Sequence, residues 1–423
     1  MPPKRKSVLP KSGDVKENGV PTKKAKIFHP SHRSERGTVL ALGQGDVGQL
    51  GLGEDYMERK RPTVVPFPEE ASGNIVDIFA AGMHTICVTE NGEVYTFGCN
   101  DEGALGRDTS EEGSEFTPHK VELSEKVVQV SGGDSHTAAL TDTGEVYAWG
   151  TFRDGNGPFG LTVEGMKKLP HHLPIPATVV QISSGNDHLA MLTDQGDIYT
   201  IGCGSQGQIG RIAECFSIRG GRKGLSLLLE PALVIRPKIR GQGKVFFEDV
   251  WCTPYCTFAR VRGGGVYGWG LNNYHHLGVE DIKSWFRPVG IESFSHIKVK
   301  SVCGGQHHSI LLDSEGTVHS LGRVDYGRLG LGDECEESHE PSAIGSLKNE
   351  EVTQVACGSS VSFALTSNGE VYAWGMGSNY QLGNGEEDDI LTPEKMSGKQ
   401  LESRKVIAVS SGGQHTLLLA KDK

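Results

Sequence analysis

Seven copies of one bipartite phrase predict an all-β fold, a seven-bladed β-propeller whose last blade is zipped from the two chain ends. Three observations carry this. The two halves of the phrase keep one fixed spacing, the repeat has the length of a blade, and the first and last copies are incomplete in complementary ways. One half is a small-residue turn, a variable position, a recurring His and an apolar run, as in residues 131–140 around His136. The other is Gly-x-Val-Tyr-x-Trp-Gly, as in residues 144–150. His84 stands 14 residues before Gly98, and the same interval separates His136 from Gly150, His188 from Gly202, Cys256 from Gly270, His308 from Gly322 and Val361 from Gly375. Residues 37–43 open the chain without a His half, and residues 411–419, with His415, close it without a Gly half. Joining the ends completes both and removes the unpaired edge strand of an open array.

Each element follows from local chemistry. The closing glycines at 43, 98, 150, 202, 270, 322 and 375 are separated by 55, 52, 52, 68, 52 and 53 residues. Units of about 50 residues hold roughly four strands with tight turns. Runs such as Glu145-Val146-Tyr147-Ala148-Trp149, bounded by Gly and Asp, have strand and turn composition. No segment sustains a helical period with caps. After each Gly half comes an apolar plug and a turn toward the outer edge: Gln49-Leu50-Gly51, Ala104-Leu105-Gly106, Gln208-Ile209-Gly210, His276-Leu277-Gly278, Arg328-Leu329-Gly330 and Gln381-Leu382-Gly383, with Phe159-Gly160 the damaged copy.

Charge divides the chain in two. Residues 1–36 carry ten Lys and Arg against three acids, or +7; residues 37–423 carry 32 against 50, or −18. The first segment reads as a disordered basic tail, the second as the propeller. The clusters Lys4-Arg5-Lys6 and Lys23-Lys24-Ala25-Lys26 look like a bipartite nuclear import signal and suit DNA phosphate. The acidic ring favours a basic protein partner over bare nucleic acid. No run of 18 apolar residues and no signal-peptide core occur, so no membrane contact is expected. Nine cysteines without Cys-x-x-Cys read as free thiols in a reducing compartment.

Catalytic chemistry is not expected of the ring. The five histidines of the shared slot, His84, His136, His188, His308 and His415, lie on different blades, which argues against a metal cluster and favours structural hydrogen bonds. Residues 43–48 and 202–207 fit Gly-x-Gly-x-x-Gly but lead into plug turns, not helices, so no cofactor is expected. No nucleophile elbow, His-Glu-x-x-His or P-loop lysine is present. A closed ring hides its own edges, so a monomer is expected.

The joined phrase, best seen in residues 127–150, resembles the repeat of the regulator of chromosome condensation family over residues 37–419. Residues 43–51, 98–108 and 183–188 resemble the chromatin-bound exchange factors of that family. The family's photoreceptor branch needs Trp in slots that here hold Met83, Ser135, Asp187, His307 and Gln414, so it is set aside. The resemblance implies a guanine-nucleotide exchange factor for the nuclear small GTPase Ran, acting without covalent chemistry. It implies a chromatin-associated nuclear protein, cytoplasmic only in dividing cells, that generates Ran-GTP near chromosomes for spindle assembly in mitosis and for nucleocytoplasmic transport. Its implied partners are Ran, the histone acidic patch of the nucleosome, DNA backbone through the tail, and a nuclear import receptor. Loss of Met1 would leave Pro2 in a Pro-Pro-Lys end that resembles a substrate for α-amino methylation.

In a repeat protein, recurring residues serve the blade and pattern-breaking residues are free for partners. By resemblance, Asp134, Asp187, His307 and His415 match positions tied to exchange, and Asp46 joins a GTPase contact. Residues 151–159 break the repeat; their Asp-Gly-Asn-Gly can turn as a hairpin. In the family this segment is a wedge that enters the GTPase, here Phe152, Arg153, Asp154, Gly155 and Asn156. The long 68-residue step places about 16 extra residues near 211–229. There Ser217, Arg219, Arg222 and Lys223 form a glycine-spaced basic loop suited to histone carboxylates.

Overall fold

A computed structural model describes residues 34–217, 224–239 and 243–423. Alternating apolar and polar runs fold into seven four-stranded antiparallel sheets arranged as blades. Blade one takes its outer strands, Glu58–Val64 and Thr38–Gln44, from the start of the chain, and its inner strands, His415–Asp422 and Arg404–Ser411, from the end. Val39 faces Leu419 and Gly43 faces His415 across that junction. Blades two to seven begin at the innermost strands Ile75–Ala80, Val127–Gly132, Val179–Ser184, Phe247–Cys252, Val299–Gly304 and Val352–Cys357, and run outward. Successive innermost strands touch around the ring, and Arg404–Ser411 packs on Ile75–Ala80, so the circle closes.

The fixed interval of 14 residues is a strand register. His84 pairs with Gly98, His136 with Gly150, His188 with Gly202 and His308 with Gly322. The buried histidines then bond to the next blade. Nε2 of His84 meets Thr137 Oγ1 at 2.8 Å, His188 meets Thr257 at 2.9 Å, His308 meets Ser362 at 2.8 Å and His415 meets Thr85 at 2.8 Å. Each hydroxyl in turn donates to the carbonyl before a plug: Thr137 to Ala104, Thr257 to Gln208, Ser362 to Arg328 and Thr85 to Gln49. With the hydroxyl hydrogen committed, the imidazole donates through Nε2. Trp149, Trp269 and Trp374 donate their indole N–H to the Ala104, Gln208 and Arg328 carbonyls at 2.8, 2.9 and 3.0 Å. Burial pulls His84, His188 and His415 down to about 3, so these rings are neutral connectors.

His136 departs from this rule. The facing position in the next blade is Leu189, which has no hydroxyl, and neither ring nitrogen finds a partner among the described residues. The ring of Phe152 packs on it instead, with centroids 4.6 Å apart.

Among the described residues, α-helix is limited to the four-residue segments Ser226–Leu229 and Lys399–Glu402. The extra residues of the long step are split, which corrects the expectation of a single insertion near 211–229. The outer strand Ala232–Leu233 begins 30 residues after Gly202, against 21 from Gly98 to His119. The next innermost strand begins 14 residues after Leu233, against 7 from Lys120 to Val127. That second addition forms the small hairpin Lys238–Ile239 with Gly243–Lys244.

Candidate partner-binding face

One backbone hydrogen bond builds the face in all seven blades. The residue after each closing glycine donates its N–H to the carbonyl of the residue before the recurring His position: Gln44 to Gln414, Cys99 to Met83, Thr151 to Ser135, Cys203 to Asp187, Leu271 to Tyr255, Arg323 to His307 and Met376 to Ser360, at 2.7–3.1 Å. The glycine is required by this crossing. A Cβ on Gly150 or Gly202 would lie 2.2 Å from Ser135 O or 2.4 Å from Asp187 O, and both glycines have positive φ. The main chain is thus fixed whatever the slot side chain. Met83, Ser135, Asp187, Tyr255, His307, Ser360 and Gln414 ring one end of the propeller with side chains the scaffold does not dictate.

Blades three and four carry an acidic centre. Asp187 Oδ1 accepts the backbone N–H of Arg153 at 2.7 Å, and the Arg153 guanidinium pairs with Glu102. The Asp134 N–H donates to the Asn186 carbonyl at 2.8 Å, which sets Asp134 beside Asp187. Burial, reinforced by the Asp134 charge, pushes the Asp187 carboxyl up to about 8 against the pull of Arg153. Burial also raises Asp134, opposed by Arg153 and a hydrogen bond from Asn186. Burial and the same two acids raise the Tyr255 phenol. Each raised carboxyl would gain from a cationic side chain brought beside it.

The predicted hairpin is present. Phe152–Asp154 pairs with Gly157–Gly160, and the Asn156 N–H donates to Asp154 Oδ1 at 2.8 Å to close the turn. Gly155, Asn156 and Pro158 are exposed at its tip. His307 lies further round the face, edge-on to Tyr274 with centroids 4.9 Å apart and 6.4 Å from Tyr255.

Asp134, Asp187 and Arg153 therefore meet, while His307 stands two blades from Asp187. Asp46 is exposed in the loop of blade one, where it accepts from Gln49 Nε2 at 3.1 Å, away from the acidic pair. Three of the predicted residues are buried. His415 is fully buried, and its Nε2 is bonded to Thr85 of the next blade. Phe152 is fully buried between His136 and Phe159, so it anchors the hairpin from beneath. Ser217 is 2% exposed and its Oγ donates to the Glu214 carbonyl at 2.7 Å, which closes a local turn. Pro2, Lys4, Arg5, Lys6, Lys23, Lys24, Lys26, Arg219, Arg222 and Lys223 lie outside the described residues.

Sequence reasoning missed Tyr255, Tyr274 and Glu102. A signal existed for each. Tyr255 fills the variable slot before Cys256, and Glu102 and Tyr274 both stand four residues beyond a closing glycine. The first described strand begins, and the small hairpin ends, at the opposite end of the ring. Gly37 bonds to Ile75 and Thr38 faces Ala420, at the far end of the strand from Gly43. The small hairpin leads into Phe247, whose N–H donates to Gly196, also at that far end.

A ring of seven four-stranded blades with a partner face of variable slots defines an RCC1-like propeller, and the RCC1-like domain model matches residues 38–418. The chain belongs to the regulator of chromosome condensation family. The mouse Regulator of chromosome condensation is 54% identical over 428 residues, covering 100% of this chain and 99% of that protein. Guanine nucleotide exchange factor SRM1 of Saccharomyces cerevisiae is 31% identical over 432 residues, covering 90% of this chain and 86% of that protein. Among solved structures, Prp20p from Saccharomyces cerevisiae, described with its binding to Gsp1p and histones, superposes with a TM-score of 0.82 at 29% identity, covering 94% of this chain and 93% of that one. Yeast RCC1 (Prp20) bound to Kap60 gives a TM-score of 0.83 at 28% identity, covering 97% of each chain.

Proposed function

We propose that this chain is a guanine-nucleotide exchange factor for the small GTPase Ran, and that the GTPase docks on the slot face. The observation that carries the reading is the acidic pair Asp134 and Asp187 latched to an exposed hairpin through Arg153. GTPases of this class hold nucleotide through a lysine, backbone amides and Mg²⁺. An exchange factor needs no nucleophile. It must bind the nucleotide-free GTPase more tightly than the loaded one, and the linkage is reciprocal. The carboxyl pair receives basic groups of the GTPase, and the tip at Gly155 and Asn156 enters beside the phosphate site. Nucleotide leaves, and the cellular excess of GTP decides what rebinds. The exchange-factor name of the yeast relative supports this.

The same reading sets the protein on chromatin in the nucleus. Prp20p is described with histone binding and with bound Kap60, which supports a histone contact and an import receptor for this chain. Arg219, Arg222 and Lys223 grip histone carboxylates, and the tail lysines contact DNA phosphate and the import receptor. Release of fluorescent GDP from Ran, with and without catalytic amounts of this protein, tests the exchange activity. Equal rates would reduce the function to a chromatin adaptor.

A further inference from the structure

Blade six departs from other blades where the innermost strands meet. The position five residues before the recurring His slot holds Ser131, Ser183 and Ser410 in blades three, four and one, and Cys303 in blade six. Each serine crosses to the next blade. Ser131 Oγ accepts the Ser184 N–H, Ser183 Oγ accepts the Cys252 N–H and Ser410 Oγ accepts the Ala80 N–H, all at 2.8 Å. The donor in every case stands four residues before the slot of its own blade. In blade seven that residue is Cys357, and Sγ of Cys303 lies 3.1 Å from Sγ of Cys357. Sulfur accepts an N–H only weakly, so cysteine is a poor substitute for the serine. The same crossing gives it a second sulfur instead.

The pair borders a space that small solutes can enter. A cavity of about 120 Å³ is lined by residues of all seven blades, so it lies on the axis of the ring. Cys357 lines it and Cys303 does not. Burial holds the Cys303 thiol well above its ordinary range, and Cys357 adds to that. A solute on the axis therefore meets Cys357 first, with Cys303 behind it as a thiol. Cys252 gives the contrast. It holds the position of Cys357 in blade five and lines the same cavity, but its Sγ donates to the Ser183 carbonyl at 3.2 Å. A disulfide sets its sulfurs about 2.05 Å apart, so Cys303 and Cys357 need to move theirs by roughly half an ångström each.

We propose that Cys303 and Cys357 are a redox modification site, closed by hydrogen peroxide into a disulfide that ties blade six to blade seven. The Cys357 thiolate attacks one peroxide oxygen, the O–O bond breaks and hydroxide leaves, so Cys357 becomes a sulfenic acid. The Cys303 sulfur then attacks the Cys357 sulfur. The S–S bond forms as the S–O bond breaks, and the Cys303 proton leaves with the hydroxide as water. In sum, two thiols and one peroxide give one disulfide and two waters, the sulfurs losing the two electrons that the peroxide gains. Two equivalents of a small thiol such as glutathione reverse the bridge by exchange, forming their own disulfide. In a reducing compartment the pair rests as thiols and closes only under oxidant. The bridge joins residues 54 apart in the chain, so it restrains the unfolded state.

The test uses the full chain, hydrogen peroxide and peptide mapping after the remaining thiols are blocked. At a dose that oxidises the exposed Cys215, wild type should yield a peptide cross-linked through Cys303 and Cys357. Its melting temperature should rise by at least about 3 °C and fall back on addition of dithiothreitol. Cys303→Ser installs the residue of three other blades, and Cys357→Ser that of blades one and four, so both should melt like reduced wild type. Both should lose the rise under peroxide. In Cys303→Ser, Cys357 should accumulate as a sulfenic acid that dimedone traps. Cys252→Ser should keep both the bridge and the rise. Absence of the cross-linked peptide from wild type would overturn the site. So would a rise, reversed by dithiothreitol, that survives in Cys303→Ser or Cys357→Ser.

Discussion

The backbone N–H of Arg153 lies 2.7 Å from Oδ1 of Asp187, so the hairpin that interrupts blade three is latched to the variable slot of blade four. An asparagine oxygen accepts the same bond, and an alanine does not. Asp187→Ala should therefore slow GDP release from Ran by roughly tenfold or more, equivalent to about 1.4 kcal/mol of barrier, with a melting temperature near wild type. Asp187→Asn should keep the hairpin in place but still slow release, because the cation receptor loses its charge. Acidity gives a separate readout. Asp187 is raised from 3.8 to about 8, so between these values the folded chain keeps a proton that the unfolded chain has lost. Its contribution to stability falls as pH rises through that window. Melting curves should show Asp187→Asn gaining on wild type as the pH is raised. A constant gap would show that the carboxyl is not protonated in the fold.

His415 should behave as a connector. Its imidazole donates to Thr85 in the adjoining blade and is fully buried. His415→Ala should cost about 1–3 kcal/mol of stability by chemical denaturation, as should His84→Ala. Exchange per folded molecule should not change. A variant that melts like wild type but exchanges slowly would keep His415 in the functional set.

The ring was legible because its bonds repeat. The interval of 14 residues is the register that sets His136 opposite Gly150, and the split phrase is the pairing of Thr38–Gln44 with His415–Asp422. The Asp-Gly-Asn-Gly turn of the hairpin was equally local. What stayed hidden depends on neighbouring blades. Slot identity says where His415 sits along the repeat, but its burial is decided by Thr85, which comes from the other end of the chain. Phe152 looked like a contact residue because its hairpin is exposed. Its ring is turned inward onto His136 and Phe159. Tyr255 and Tyr274 gain meaning only beside His307, on a different blade.

Closure makes the C-terminal strand indispensable. His415–Asp422 is the sole link between Thr38–Gln44 and Arg404–Ser411 in blade one. A chain ending at Val409 should lose its cooperative melting transition or aggregate. A truncated chain that melts like the intact one would contradict zipping by the termini.

Chromatin contacts should separate by chemistry. Arg219→Ala with Arg222→Ala should weaken nucleosome binding and leave naked DNA nearly unaffected, because glycine-spaced arginines suit carboxylates. Deleting residues 1–27 should chiefly weaken naked-DNA binding and flatten its salt dependence. Neither change should alter exchange on free Ran, since the acidic pair is at the other end of the ring from residue 37. Wild-type nucleosome binding by the double arginine variant would remove the loop from the interface.

The most direct measurement of the central claim is complex formation with Ran stripped of nucleotide. Size-exclusion chromatography of equimolar protein and nucleotide-free Ran should give a stable complex, and excess GTP or GDP with Mg²⁺ should dissociate it, because tight binding of the empty state is what drives release. In the Asp134→Ala, Asp187→Ala variant the complex should be lost while the fold is retained. Binding of equal strength to empty and loaded Ran, or no binding to either, would contradict an exchange function.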